Sequence, residues 1–151
     1  MITIKPLTLE DCHLLYQQYV SDPLMDDSIY IYYNDKVNKY YEIKSKEQNR
    51  RLFGIYLNDT IIGELQIKKI DLIKKCGTLS IILMNDAYKN KGYGTKAIKL
   101  AISYGFTKLR LQRIYADALL RNTRSQHVLE KLGFIKYNID DQFIYYWLEN
   151  N

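Results

Sequence analysis

The residues best suited to chemistry in this chain are Lys89-Asn90-Lys91-Gly92-Tyr93-Gly94-Thr95. They follow an apolar run, Leu79-Ser80-Ile81-Ile82-Leu83-Met84. They precede a stretch in which Ile98, Ala101, Ile102, Gly105 and Leu109 recur at helical spacing. A glycine-spaced loop that leaves a strand and opens a helix presents backbone N–H groups with no intrahelical partner, and the helix dipole adds partial positive charge there. The chemistry open to such a loop is anion binding, so a phosphate-bearing ligand is expected. Residues 89–131 reinforce this with ten lysines and arginines against two acids, Asp117 and Glu130, in a chain whose net charge is +5. A field of that sign attracts a compact anion, although most of these lysines read as a solvated helix face.

The elements that must hold the loop can be read from periodicity. Ile2–Pro6 alternates as a strand, and Thr8-Leu9-Glu10-Asp11 has the form of a helix start, followed by Leu14, Leu15 and Tyr19. Residues 21–41 mix Asp22, Asp26, Asp27 and Asp35 with Tyr30, Tyr32, Tyr33, Tyr40 and Tyr41, which reads as a loop leading into a helix over Lys36–Lys46. Leu52–Leu57 and Ile61–Ile67 form a hairpin about Asn58-Asp59. Cys76–Met84 is the next strand, 92–109 a helix, and Arg113–Leu120 a strand. A short helix begins at Asn122 or Thr123, where Thr123-Arg124-Ser125-Gln126 has capping-box form. Ser125, Val128, Leu129 and Leu132 give it one inward face, and Gly133 stops it. Phe134–Ile139 and Gln142–Leu148 make a closing hairpin. Strands alternating with helices in the second half, with meanders elsewhere, predict a mixed α/β sheet in a single domain over 1–151.

Composition narrows the partners. At 47% hydrophobic and 26% charged the chain has the make-up of a soluble globular domain, and no apolar run nears the roughly 20 residues of a membrane span. The first residues lack the apolar core of a signal peptide, so a cytoplasmic protein is expected. Cys12 and Cys76 have no metal-ligand spacing; reduced thiols or one disulfide both fit, and no metal is expected. Aromatic residues do not interleave with the basic block, which disfavours nucleic acid.

Two blocks together resemble a family. Tyr88-Lys89-Asn90-Lys91-Gly92-Tyr93-Gly94 is similar to the (Gln/Arg)-x-x-Gly-x-(Gly/Ala) signature of the GNAT superfamily of acyl-CoA-dependent N-acetyltransferases. Asn122-Thr123-Arg124-Ser125, running on to Glu130-Lys131-Leu132-Gly133-Phe134, resembles that family's second block. Ala101-Ile102-Ser103-Tyr104-Gly105-Phe106 and the closing hairpin look most like the RimJ/RimL-type branch, which includes spermidine acetyltransferases. The resemblance implies a strongly twisted sheet of six to seven strands flanked by about four helices. It implies acetyl-CoA as co-substrate, no metal, an amine as acceptor, and a monomer or homodimer. Amides of Lys89, Asn90, Lys91, Gly92, Tyr93, Gly94 and Thr95 would grip the pyrophosphate. Ile82, Leu83 and Met84 would run beside the pantetheine arm, and Asn122 would bond it, with helix capping as its other reading and both roles open to it. Two positions depart from the pattern. Lys89 stands where arginine or glutamine is usual, keeping the charge without the planar fork, and Asn90 replaces a common glycine while tolerating the left-handed region.

The implied reaction is direct attack of a neutral amine on the thioester. It needs a base, an oxyanion donor and an acid for the departing thiolate. By resemblance the oxyanion donor is the N–H of Leu83 or Met84. The position where many relatives carry a tyrosine acid is Leu129 here, which cannot donate. Ser125, one turn earlier on that face, is the remaining polar group; the alternative is a small residue that lets helix and cofactor pack closely. His127 lies off the face and reads as a surface residue. Glu64 is the nearest carboxylate on a central strand for a base, with a solvent-facing strand residue as the other reading; Asp117 has the same two. The four aspartates among tyrosines in 22–35 would suit a cationic acceptor: a polyamine, an aminoglycoside-like compound, an amino acid or a protein N-terminus. With the usual acid and base positions altered, a catalytically weak or inactive acyl-CoA-binding regulatory domain is the alternative.

Overall fold

Apolar residues build the strands β1 (Ile2–Pro6), β2 (Arg51–Leu57), β3 (Thr60–Asp71), β4 (Cys76–Leu83), β5 (Arg113–Leu119), β6 (Ile135–Ile139) and β7 (Phe143–Glu149), in a continuous buried run along the central β2 and most of β3. The helices are α1 (Leu9–Gln18), α2 (Asn34–Lys46), α3 (Tyr93–Thr107) and α4 (Thr123–Lys131). This is a computed structural model describing all residues, Met1–Asn151. The strands form one sheet in the order β1-β2-β3-β4-β5-β7-β6. Every neighbouring pair is antiparallel except β4 and β5. A parallel pair needs a crossover, and α3 supplies it. Seven strands and four helices match the mixed α/β expectation.

Each face of the sheet has its own core. Phe53, Leu65, Leu79, Ile114 and Ala116 pack with Ala97, Ile98 and Ala101 of α3 and Leu129 of α4. Leu52, Ile61 and Met84 pack with Cys12 and Leu15 of α1 and Val37 of α2. Burying one such leucine or isoleucine contributes about 1.5–3 kcal/mol, so these faces dictate which way every strand residue turns. Both cysteines are free, Cys12 buried and Cys76 half-buried.

Three local readings shift. β3 runs on to Asp71 because it stays paired with β4, through a register break between Lys68 and Asp71. β4 ends at Leu83, and Met84 leaves the strand. α4 is capped by Asn122, as its capping reading expected, the side chain accepting the Ser125 N–H at 3.1 Å, and not through Thr123. Gln126 instead donates to the carbonyls of Leu119 and Leu120, so the expected capping box is absent. One close approach was not foreseen. A Cβ on Gly63 would stand 2.5 Å from the Ile82 carbonyl oxygen, so only glycine lets β3 and β4 meet there.

Candidate functional site

The ladder between β4 and β5 is short. It pairs Cys76, Gly77 and Thr78 with Arg113, Ile114 and Tyr115 and then stops, although β4 continues to Leu83 and β5 to Leu119. The two strands part, and a cleft of about 370 Å³ occupies the gap. On the α3–α4 side its lining includes Gly92, Gly94 and Leu129; on the opposite face it reaches Lys68, Ser80 and Asp117. The cleft therefore passes through the sheet.

Strand alternation decides which backbone groups face it. Met84 donates its N–H to the Ile62 carbonyl at 2.7 Å, and its own carbonyl accepts the Val20 N–H at 2.9 Å. In an antiparallel ladder alternate residues turn their polar groups the same way. Ile82 and Met84 thus turn to β3, and Ile81 and Leu83 turn to the gap, where β5 has left. This corrects the expectation for Ile82 and Met84: neither lines the cleft, Leu83 does, and so does Ile81, which the sequence reading passed over. An N–H at Met84 is already bonded and cannot serve an oxyanion.

The loop before α3 has the conformation its residues suggested. Asn90 has φ 60° and Gly92 φ 80°, both left-handed, and Gly92 is the N-cap of α3 with no side-chain cap. A Cβ at Gly92 would have nothing within 4 Å, so the space beside the cap is open. The N–H groups of Tyr93, Gly94 and Thr95 begin the helix without intrahelical acceptors, and no acid sits in this first turn. Residues of this loop line the cleft from Lys89 to Thr95 except Lys91, which is exposed and turned away.

Lys89 is placed differently from the expectation. Its side chain is 9% exposed, and its ammonium lies 3.2 Å from Asp22 and 3.0 Å from Asp86. It anchors the loop instead of offering free charge. Arg124, at the start of α4, reaches the same Asp22 carboxylate at 3.6 Å. Burial works against the Asp22 carboxylate, but the Leu24 N–H at 2.9 Å and the two cations outweigh it and hold its pKa below the ordinary value. The other loop aspartates are also engaged. Asp26 accepts from the Ser28 N–H and hydroxyl, and Asp27 pairs with Arg121 at 3.2 Å. Asp35 opens α2. Three of the tyrosines turn inward, Tyr40 to Glu64, Tyr41 to the Leu7 carbonyl and Tyr32 to His13, while Tyr33 is exposed. The four aspartates and their tyrosines do not converge on one acceptor wall.

Asn122, 7% exposed, and the half-buried Ser125 line the cleft at the N-terminus of α4. Leu129 closes it below, and His127 is exposed outside it.

Glu64 meets neither of its two readings. It is 4% exposed, beneath α1 and α2, and does not line the cleft. Tyr16 donates to its Oε1 at 3.0 Å, and Tyr40 and Gln66 donate to its Oε2 at 2.7 Å each. Burial raises its pKa, and these three bonds only partly oppose that. Burial, then the Glu64 charge, pushes the nearby Cys12 thiol up to about 12. Glu64 is thereby excluded as a base in the cleft: three donors engage its carboxylate, and helices cover it. The polar residues that do reach the cleft from this face are Lys68, Thr78, Ser80 and Asp117. The signal for Lys68 was present, since Glu64, Gln66 and Lys68 alternate along one strand face.

A strand pair that splays beside a glycine-capped helix is the arrangement of one acyltransferase class, and residues 2–135 match the acetyltransferase (GNAT) domain model. The chain belongs to that family. Among similar proteins are the spermidine N(1)-acetyltransferase of Escherichia coli and the probable N-acetyltransferase YjcK of Bacillus subtilis. The first is 31% identical over 94 residues, 62% of this chain and 50% of that protein. The second is 33% identical over 108 residues, 69% of this chain and 58% of that protein. The chain thus spans about half the length of these relatives. The fold matches spermidine N-acetyltransferase from Vibrio cholerae in complex with CoA and spermine, with TM-score 0.84 at 19% identity, over 98% of this chain and 95% of that one. Campylobacter jejuni N-acetyltransferase PseH gives TM-score 0.79 at 18% identity over 99% of each chain. No helix is long and apolar enough to cross a membrane, and no group of three His, Cys, Asp or Glu side chains is arranged to hold a metal ion.

Proposed function

We propose that this chain, as one catalytic domain over 1–151, transfers an acetyl group from acetyl-CoA to a primary amine by direct attack in a ternary complex. The observation that carries this reading is the cleft through the sheet, with unpartnered amides at one mouth and a carboxylate at the other. The amides from Asn90 to Thr95 take the pyrophosphate, with Lys89 fixing the loop from behind. Backbone groups of Ile81 and Leu83 align the pantetheine arm as a strand partner would, and Asn122 closes the other side. The Leu83 N–H is the oxyanion donor. The Ser125 hydroxyl, on the cleft face of α4, returns a proton to the thiolate. The amine enters from the face that carries Asp117, whose carboxylate attracts its ammonium form.

The match to spermidine acetyltransferases supports polyamines as the first acceptor class to test, and the motif blocks at 88–94 and 122–134 support a place in the RimJ/RimL-like branch. Calorimetric titration with acetyl-CoA, followed by thiol release across polyamines, aminoglycosides, amino acids and short peptides, tests the reading. Saturable binding and amine-dependent CoA release are expected. Binding without release for any amine would leave an acyl-CoA-binding domain, and no binding would remove the reading altogether.

A further inference from the structure

Five charged side chains line the cleft: Asp22, Lys68, Lys89, Asp117 and Arg124. Asp22, Lys89 and Arg124 form one ion-paired group on the α3–α4 side. Lys68 and Asp117 enter none of the chain's ion pairs. They are the unmatched charges of the cleft, and both lie on the face where the amine enters. Their levels along the sheet differ. Lys68 stands opposite Thr78 in the β3–β4 ladder. Thr78 also closes the β4–β5 ladder against Tyr115, so Asp117, two residues on, is about level with Ser80. Counted from Leu83, the oxyanion donor, the Asp117 carboxylate is three residues away and the Lys68 level is five.

The far end of the mouth is cationic beyond Lys68 itself. Lys69, Arg50 and Lys44 of α2 face it, and Asp117 is the acid that opposes them. Arg50 is held by Glu47 and Gln66 and Lys69 is exposed, so Lys68 is the cation of this group that reaches the cleft. Half-burial disfavours its ammonium most, the three cations add to this, and the net effect lowers its pKa. A half-buried ammonium without a counter-charge gains from an arriving anion.

We infer that the acceptor of this site carries a carboxylate about 10 Å from its reacting amine, and that Lys68 is the residue that binds it. The inference rests on the acetyl-transfer reading above and selects among its acceptors. Five residues of strand span about 16 Å, and the four-carbon stem of Lys68 covers part of that. What remains is about 10 Å, the length of three extended residues. A tripeptide presenting its free N-terminus places its amine at the thioester and its terminal carboxylate at Lys68, while Asp117, between the two, attracts the leading ammonium. An amine and a carboxylate on one carbon are too close together to do both. A polyamine brings a trailing cation to the end where Lys68, Lys69, Arg50 and Lys44 already gather.

The test measures thiol release from acetyl-CoA with triglycine, triglycinamide and spermidine, with acetyl-CoA binding read calorimetrically on the same preparations. Triglycine should exceed triglycinamide by at least about tenfold in kcat/KM, through KM, because one charge-assisted contact separates them. In Lys68→Gln the KM for triglycine should rise to that for the amide, with acetyl-CoA still bound, and Lys68→Arg should keep the preference. An amidated pentapeptide with glutamate in third place should outpace its glutamine counterpart where a side chain can supply the carboxylate, and match it where only a chain end can. The preference for triglycine over its amide supports the inference in both cases. Equal turnover of triglycine and triglycinamide, turnover of spermidine alone, or a preference that survives Lys68→Gln overturns the inference and leaves the proposed function standing. An absence of acetyl-CoA binding, or of turnover with every amine, overturns both.

Discussion

Two polar regions interrupt the apolar sheet, and they differ in who completes them. Beneath α1 and α2, Glu64 and Gln66 are buried, and their polar groups are met by Tyr16, Tyr40, Arg50 or each other. In the gap between β4 and β5, Ile81 and Leu83 turn backbone groups toward a strand that has moved away, and the first amides of α3 point at open space. No buried side-chain nitrogen or oxygen in the molecule lacks a partner. The unmet demand is thus concentrated in backbone groups along one cleft. A polar site closed by its own chain contributes structure, and a site left open contributes binding.

The strongest way to break this contrast is Gly92→Glu. The substitution forces a side chain into φ 80° and sets a carboxylate in the anion cradle. Acetyl-CoA affinity should fall by more than about a hundredfold, near 3 kcal/mol, by calorimetry, with the circular dichroism spectrum unchanged. Undiminished affinity would mean that the open amides are not the binding site.

Glu64→Ala probes the closed region. It strands two tyrosine hydroxyls and an amide, so urea unfolding should show a loss of about 2–3 kcal/mol. Affinity for acetyl-CoA should stay within about twofold of the parent. A parallel fall in affinity would show that the two regions act as one.

Asn122→Ala lies on the border, because Asn122 both caps α4 and lines the cleft. A stability loss of about 1 kcal/mol is expected from the cap, together with a few-fold weaker acetyl-CoA binding. Loss of stability with affinity intact would assign Asn122 to structure alone.

The smallest effect is a pH dependence. The Glu64 pKa is raised in the folded state, so folding favours its protonated form. Its contribution is complete below the ordinary carboxyl range, about 4.3, and is lost as pH rises through the higher folded value. Against Glu64→Gln, which stays neutral, the parent should lose relative stability over that window in unfolding curves taken at successive pH. A difference that stayed flat with pH would mean that the buried carboxyl does not titrate on its own.

The loop from Lys89 to Thr95 was legible because its demands are local. Asn90 and Gly92 adopt left-handed angles that their own side chains allow, and the strand and helix on either side follow from period. The family blocks were legible for the same reason. Helix α4 shows where locality thins. Thr123 and Gln126 satisfied the capping pattern, yet Asn122 lies one residue earlier, and the carbonyls at the end of β5 drew Gln126 away. Glu64 was not legible at all. A carboxylate on an alternating strand looks the same whether water or tyrosine faces it.

What the sequence alone determined was the class of fold, the order of its elements and the place of the glycine loop that opens α3, because these rest on spacing between near neighbours. The tertiary structure alone decided the fate of the charges. Glu64 is closed by Tyr16, 48 residues away, and Tyr40, 24 away. Lys89 is neutralised in part by Asp22 from a distant loop. The choice of Ile81 and Leu83 over Ile82 and Met84 came from where β4 docks on β3 and loses β5. Desolvation and pairing depend on what folds against a residue, and no local pattern carries that information.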